Sequence, residues 1–467
     1  MDGNLFSAIS HVSSDIQGPV DIELKGLLSA QSHRLSGRMT TVLKASAVRK
    51  DSDGERVRLA CKISRPEVQR ISEGDVLSTA QAIALDREPK MRNHLPKLYF
   101  SGDLRAGNTL HVRSLLNLNG KGHRTLRVLV INELEPLTAV TGKSFVKGWL
   151  DVVTCHVFLW KHGVEHGDPS LANMMYDPIE GCGVLSDFDW SNMAWLERVP
   201  GNNRTGTIPF MAIDLLSDAY WKGYRERCHH HELEAFIWIL SVVFLAYENR
   251  ICDPENILTK DWFTSDYIAC AEEKAYFLSQ NLQAIWSLPF DNFEQYQELL
   301  YDACLLVHKQ FALRNEDRGR RAMEDHKRRA VEARGRHALE DCDRAEGDST
   351  NKINKKEVES IQDDTQAFRI QYSEATWDQF ISILSKFSSQ PNIELDHLDI
   401  NSLETHKPTF DISQCQLLFA EMRMIYGRVT NKSQPGRVSD TVMDWSLRQH
   451  RSLRQTYIAH QFLGHSG

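Results

Sequence analysis

The sequence predicts an α+β chain of two lobes, a small β-rich one and then a larger helical one, with a mainly helical C-terminal extension. Strand-like alternation crowds the first third, at 41–43, 57–63 and 127–131. Helical spacing takes over from residue 144, through Phe145, Trp149, Val152, Val153, Val157 and Leu159, and again in an apolar run after Glu232. From Arg314 the apolar period thins into mixed charge, and it returns at 366–388 and 410–427. The expected divisions are an extension at 1–29, an N-lobe at 30–134, a C-lobe at 135–313, a charged helix or linker at 314–365 and a helical region at 366–467.

Within 1–29, Leu24, Leu27 and Leu28 are expected to pack a strap or helix on the first lobe. Residues 41–43 and 57–63 read as a hairpin turned at 51–54. Gly37 lies where a glycine-rich lid over phosphates would begin, since a side chain there would hold backbone amides off a ligand. Met39 stands where a second glycine would be. Lys62 ends the apolar run Leu59-Ala60-Cys61-Lys62, and a lysine so placed needs an anion unless it sits at an edge and reaches water. A helix follows, with Val68, Ile71, Val76, Leu77 and Ala80 on its apolar face. Glu73 is the chosen ion-pair partner of Lys62, with Glu67, Asp75 and Glu88 as rivals, and Gly74 weakens the helix. Residues 95–100 and 110–116 read as further strands, and 127–131 as a central strand leading into Asn132-Glu133-Leu134.

The densest chemistry is HGDPSLANMMYDPIEGCGVLSDFDW, residues 166–190. Asp168 with Asn173, and Asp187 with Asp189, flank a hairpin-like segment turned at Gly181 and Gly183. A carboxylate for a substrate hydroxyl, plus an amide and a second carboxylate for a metal, are what phosphoryl transfer from ATP requires. The order H-x-D-x-x-x-x-N and then D-F-x agrees in spacing and in residue type. Turn-forming habits of Asp and Asn explain the composition but not that order. By role, Asp168 would take the proton of the substrate hydroxyl, and Asn173 and Asp187 would hold Mg2+. Lys62 would hold ATP phosphates, and the backbone at Glu133 and Leu134 would meet adenine. Ser170 sits where a cation usually faces the migrating phosphate, and His166 is expected to be structural. Further on, RTGTIPFMAID at 204–214 would place Thr207 near Asp168 to shape the substrate site. No metal is expected at His229-His230-His231, because adjacent helical histidines point in different directions.

HGDPSLANMMYD, LSDFDW, RTGTIPFMAIDLL and HHHELEAFIWIL, in that order, resemble the fungal-type protein kinase domain across about residues 30–310. The resemblance implies the bilobal eukaryotic protein-kinase-like fold, ATP and Mg2+ as cofactors, and serine/threonine protein kinase activity on a protein substrate. It gives Lys62, Glu73, Asp168, Asn173 and Asp187 the nucleotide and metal roles already argued. The departures are D-F-D for D-F-G, Gly167 for the arginine before the catalytic Asp, Ser170 for a cation, Glu232 for an aspartate, and Ile213-Asp214 for Pro-Glu. Two competing readings are a pseudokinase scaffold and a small-molecule phosphotransferase of the aminoglycoside/choline type. The latter has no G-T-x-x-F-M-A segment, so that segment favours a protein acceptor.

A formal net charge of -8 gives no reason to expect a nucleic-acid partner. Nine cysteines without a C-x-x-C pair indicate neither a zinc site nor a disulfide framework. No apolar run reaches membrane length, and the start lacks a signal-peptide pattern, so an intracellular protein, cytoplasmic or nuclear, without a membrane partner is expected. Basic groups at 320–321 and 327–329 are interspersed with acids and read as a solvated face. Residues 346–357 partly match a calcium loop but lack its Asp at position one and its glycine at position six, so a polar linker is expected.

Overall fold

The computed structural model describes residues 22–30, 40–48, 56–104, 109–118, 122–194, 196, 206–223, 225–248, 250–253, 255–256, 258–287, 294–343, 376, 378–384 and 386. Its first part is one antiparallel sheet with two helices inserted between strands. The elements run β1 (Glu23–Ala30), β2 (Thr41–Val48), β3 (Arg56–Ser64), α1 (Glu73–Arg87), β4 (Leu98–Leu104), α2 (Leu110–Leu115) and β5 (Leu126–Asn132), and the strand order is β1-β2-β3-β5-β4. The two-residue period of β3 sends Leu59 and Cys61 into a small core with Ala45, Ala47, Val128 and Val130. The same period puts Lys62 on the opposite face, where it meets α1.

Two expectations change here. Residues 23–30 are neither strap nor helix but an edge strand paired with β2, and Leu27 and Leu28 are exposed. Residues 110–115 form a helix, not a strand. Their amides find partners locally, as in Arg113 N–H to the Thr109 carbonyl (3.0 Å), and Val112 and Leu115 stay exposed, so no sheet face draws them into a ladder.

The second part comprises β6 (Glu135–Pro136), α3 (Gly142–Lys161), β7 (Val164–Glu165), β8 (Met174–Asp177), β9 (Cys182–Leu185), β10 (Asn192–Met193), α4 (Asp218–Trp221), α5 (His229–Ala246), α6 (Tyr267–Tyr276) and α7 (Gln297–Asp343). Every residue of α5 is buried, so the helices wrap around it. The Trp149 indole of α3 donates to the Phe236 carbonyl of α5 at 3.1 Å. The boundary expected at 313/314 falls inside α7, a continuous helix whose Arg314 and Arg318 reach Asp214 at 2.8 and 2.9 Å. Residues 378–384 are helical and return to the main core, burying Phe380, Ile381 and Leu384, with the Phe380 ring edge-on to Trp149. The molecule is thus a mixed α/β chain, a sheet region followed by many helices. Gly37, Met39, the turn at 51–54, the calcium-like loop at 346–357 and the segment 410–427 lie outside the described residues.

Candidate active site

Lys62 projects from the α1 face of β3 and contacts three carboxylates. They are Asp187 at 2.7 Å, Glu73 at 2.8 Å and Asp189 at 3.0 Å. Glu73 opens α1, and the helix comes close to the sheet because Gly74 has no side chain. A Cβ there would stand 2.0 Å from Ser101 Oγ on β4. The glycine that costs α1 helical propensity is what sets Glu73 over Lys62. Glu73 also accepts from the Phe188 amide (3.1 Å), tying α1 to the Asp187-Phe188-Asp189 turn. Burial opposes the charge on Lys62, yet Asp187, Glu73 and Asp189 hold the ammonium well above its usual range. Burial pushes Glu73 up to about 8, against the pull of Lys62. Even with Glu73 largely protonated near pH 7, Asp187 and Asp189 beside one ammonium leave a surplus of negative charge, and the three carboxyl groups are an oxygen donor set that suits a hard divalent cation.

The hairpin of β8 and β9 places the two expected metal residues. Asn173 immediately precedes β8 and Asp187 closely follows β9, so the antiparallel pairing brings both out at one end. The Ser186 amide bonds the Asn173 carbonyl at 2.9 Å. Asn173 Nδ2 donates to the Asp168 carbonyl (2.8 Å), so its Oδ1 is the atom left for a metal. Asp187 sits at φ 63°, a left-handed conformation that its side chain supports by accepting from the Asp189 amide.

Asp168 is cradled by the later segment. Thr207 bonds Asp168 Oδ1 twice, through its amide (2.9 Å) and its hydroxyl (3.1 Å). Burial raises the Asp168 pKa, and the charge of Arg227 works the other way. Beneath the loop, His166 engages the Ser186 carbonyl at 2.9 Å, and burial lowers its pKa to about 4, which keeps the ring neutral near pH 7. Gly167 has φ +83°, and a Cβ there would stand 2.5 Å from the Trp190 carbonyl oxygen, so the backbone itself excludes an arginine. The Gly167 amide donates to Glu232 Oε1 (3.0 Å), while Glu232 Oε2 meets His156 Nε2 at 2.5 Å. Burial works against the ionised form of Glu232, but His156, Arg227 and His166 hold its pKa down to about 2. The longer side chain that stands where the resemblance expects an aspartate therefore still supports the loop at 166–173. Ser170 is buried, and its carbonyl accepts from the Asn173 amide at 3.0 Å.

The remaining expected residues fall as follows. The Glu133 amide is taken by the Arg58 carbonyl (3.1 Å), so of its backbone groups only the carbonyl could serve an adenine; Leu134 follows it directly. The spacing rule for the histidines proves too simple. His230, His231 and Asp214 come within 4.8 Å of one another, but Arg314 and Arg318 already satisfy the Asp214 carboxylate with positive charge, which disfavours a cation. Arg227 is a candidate-site residue that motif reading passes over, and Asp189 is read there only as the neighbour of Asp187, without a role. D-F-D in place of D-F-G signals Asp189, whereas nothing around Arg227 forms a pattern.

Residues 113–244 match the family described as fungal protein kinase. The chain is kinase-like. The match spans Asp168, Asn173, Asp187, Thr207 and Glu232 and supports the family to which the motifs point, while Lys62 and Glu73 lie before it. No curated protein matches the chain. Among solved structures it is similar to the Cydia pomonella granulovirus kinase PK-1, at 12% identity over 61% of this chain and 87% of that one, with a TM-score of 0.34. Among the described residues, no helix is long and apolar enough to cross a membrane.

Proposed function

We propose that this protein is a bilobal serine/threonine protein kinase that transfers the ATP γ-phosphate to hydroxyls of a protein substrate. The observation that carries the reading is the pair of hydrogen bonds that Thr207 donates to Asp168 Oδ1, which joins a segment suited to seating a peptide to the carboxylate that would receive the hydroxyl proton. Asp168 orients the acceptor and takes its proton. Lys62, steadied by Glu73, receives nucleotide phosphates. Asn173 and Asp187 would hold Mg2+, which supplies charge neutralisation at the β- and γ-phosphates. Thr207 and the following 208–214 seat the protein substrate.

The three-carboxylate clasp on Lys62 favours a second reading, a pseudokinase scaffold, because phosphates must displace acidic partners to reach the ammonium. One experiment separates the two. Thermal shift with Mg-ATP, followed by phosphotransfer to a degenerate Ser/Thr peptide library, should show stabilisation and turnover. Asp168→Asn should keep the stabilisation and lose turnover by about 100-fold or more. Wild-type turnover no greater than that of Asp168→Asn would remove the enzyme reading and leave the scaffold.

A further inference from the structure

Gly167 cannot carry the arginine that would otherwise link a catalytic loop to the segment beyond it, and Ser170 brings no charge. A buried cation nevertheless lies at that junction, delivered by a different element. Arg227, two residues before α5, has a side chain only 10% exposed. Its Nη1 lies 3.4 Å from Glu232 Oε1, the oxygen that accepts the Gly167 amide. Its Nη2 donates to the Tyr220 hydroxyl (3.2 Å) and stands 3.2 Å from where a Cβ on Gly206 would be. Gly206 directly precedes Thr207, whose amide and hydroxyl hold Asp168. The guanidinium therefore meets the support of the catalytic loop on one side and, on the other, fills the space that a side chain on Gly206, at the start of the substrate-seating segment, would need.

We infer that Arg227 is a positioning residue for phosphotransfer, an internal clamp that fixes segment 206–214 against the catalytic loop without a phosphate on the chain. A phosphorylated segment is usually ordered by pairing its new charge with an arginine of the catalytic loop. Here the positive charge and its fixed partners, Glu232 and Tyr220, are already part of the fold. A guanidinium suits the task because its planar fork serves two partners in fixed directions. The inference rests on the proposed kinase reading, in that the clamped segment is the one assigned to seat substrate.

Arg227→Met, Arg227→Lys and Tyr220→Phe test it, each first checked by thermal melting. With the degenerate Ser/Thr peptide library as acceptor, Arg227→Met should lower kcat by about 10- to 100-fold, as expected for a misplaced catalytic group. It should raise the KM for peptide and leave the KM for ATP within about twofold, since the clamp does not touch the nucleotide residues. Arg227→Lys should recover part of the loss, and Tyr220→Phe should show a smaller effect of the same kind. Wild-type protein phosphatase-treated before assay should keep its turnover. Hydrogen exchange supplies a readout that needs no activity. Peptides covering 206–214 should exchange at least about tenfold faster in Arg227→Met, while those from β2 and β3 stay unchanged. Absent turnover in the wild type would overturn the kinase reading alone, and the exchange data would still decide on the clamp. Unchanged exchange in Arg227→Met, a KM shift for ATP rather than peptide, or turnover abolished by phosphatase would overturn it.

Discussion

At the scale of single residues, Asp189 is the position whose chemistry the motif least prepares. In D-F-D it brings a third carboxylate to Lys62 at 3.0 Å, with its side chain 8% exposed. Such a group either restrains the lysine or joins the metal shell, and the two roles have opposite signs. With Lys62 as its partner, Asp189→Asn should free the ammonium and remove a charge that repels the triphosphate. Mg-ATP affinity measured by calorimetry should then rise by about fivefold, on the order of 1 kcal/mol for one like charge in a partly screened site. Weaker affinity in Asp189→Asn would instead make Asp189 a metal ligand. The contrast with Glu73 explains what a sequence can disclose. Lys62 is legible because a two-residue strand period fixes its face, whereas Glu73 is one of four acids open to choice on a helix expected from about Val68, and it is the start of α1 at Glu73 that settles it. Asp189 is visible in D-F-D, but its contact with Lys62, like that of Arg227 with Glu232, is one that no local spacing encodes.

At the scale of elements, strands and helices with one clear face are legible in the sequence, as in β2, β3, β5 and α3. The segments that depart from expectation lack one clear face or take their partner from far along the chain. β1 has a polar and an apolar side of similar weight, and its pairing with β2 decides its state. α2 carries exposed leucines that mimic a strand but closes its hydrogen bonds locally. The return of 378–384 to the core could not be foreseen, because its partner Trp149 stands more than two hundred residues earlier in the chain. That docking is a packing interaction with a measurable cost. Phe380 is fully buried, and Lys386 pairs with Glu298 and Asp302 of α7 at 2.7 and 2.9 Å. Phe380→Ala should destabilise the protein by about 3–5 kcal/mol in urea unfolding. Lys386→Ala, an exposed pair, should cost under about 1 kcal/mol. A Phe380→Ala variant as stable as wild type would mean that this segment does not belong to the core.

For the molecule as a whole, the burial of ionisable groups sets a direction of pH dependence. Burial lowers the pKa values of His166 to about 4, His229 to about 3 and His231 to about 4, and that of His230 well below its usual value of 6.5. An unfolded chain binds protons at these rings from about pH 6.5 downwards while the folded chain does not. Their contribution to stability is therefore fully present above pH 6.5 and is lost as pH falls towards their folded values of about 4 and 3. Glu73 has the opposite sign. Raised to about 8 by burial, it gains stability as pH falls from 8 towards 4.5, and burial raises Asp75, Asp168 and Glu234 as well, but the lowered Asp214 and Glu232 side with the four histidines. Lys274, buried against Trp238 and bonded to the Met211 carbonyl at 2.7 Å, is lowered by burial to about 8, so it favours the folded state as pH rises from 8 towards 10.5. The histidines win below neutrality. Melting temperature should fall by roughly 10 °C or more between pH 7 and pH 5, with net proton uptake on unfolding. Replacing His229, which stacks on His156 and Trp160 in this interior, by Phe should flatten the acid side of that curve. A melting temperature that is flat or rising on acidification would contradict the neutral burial of these rings.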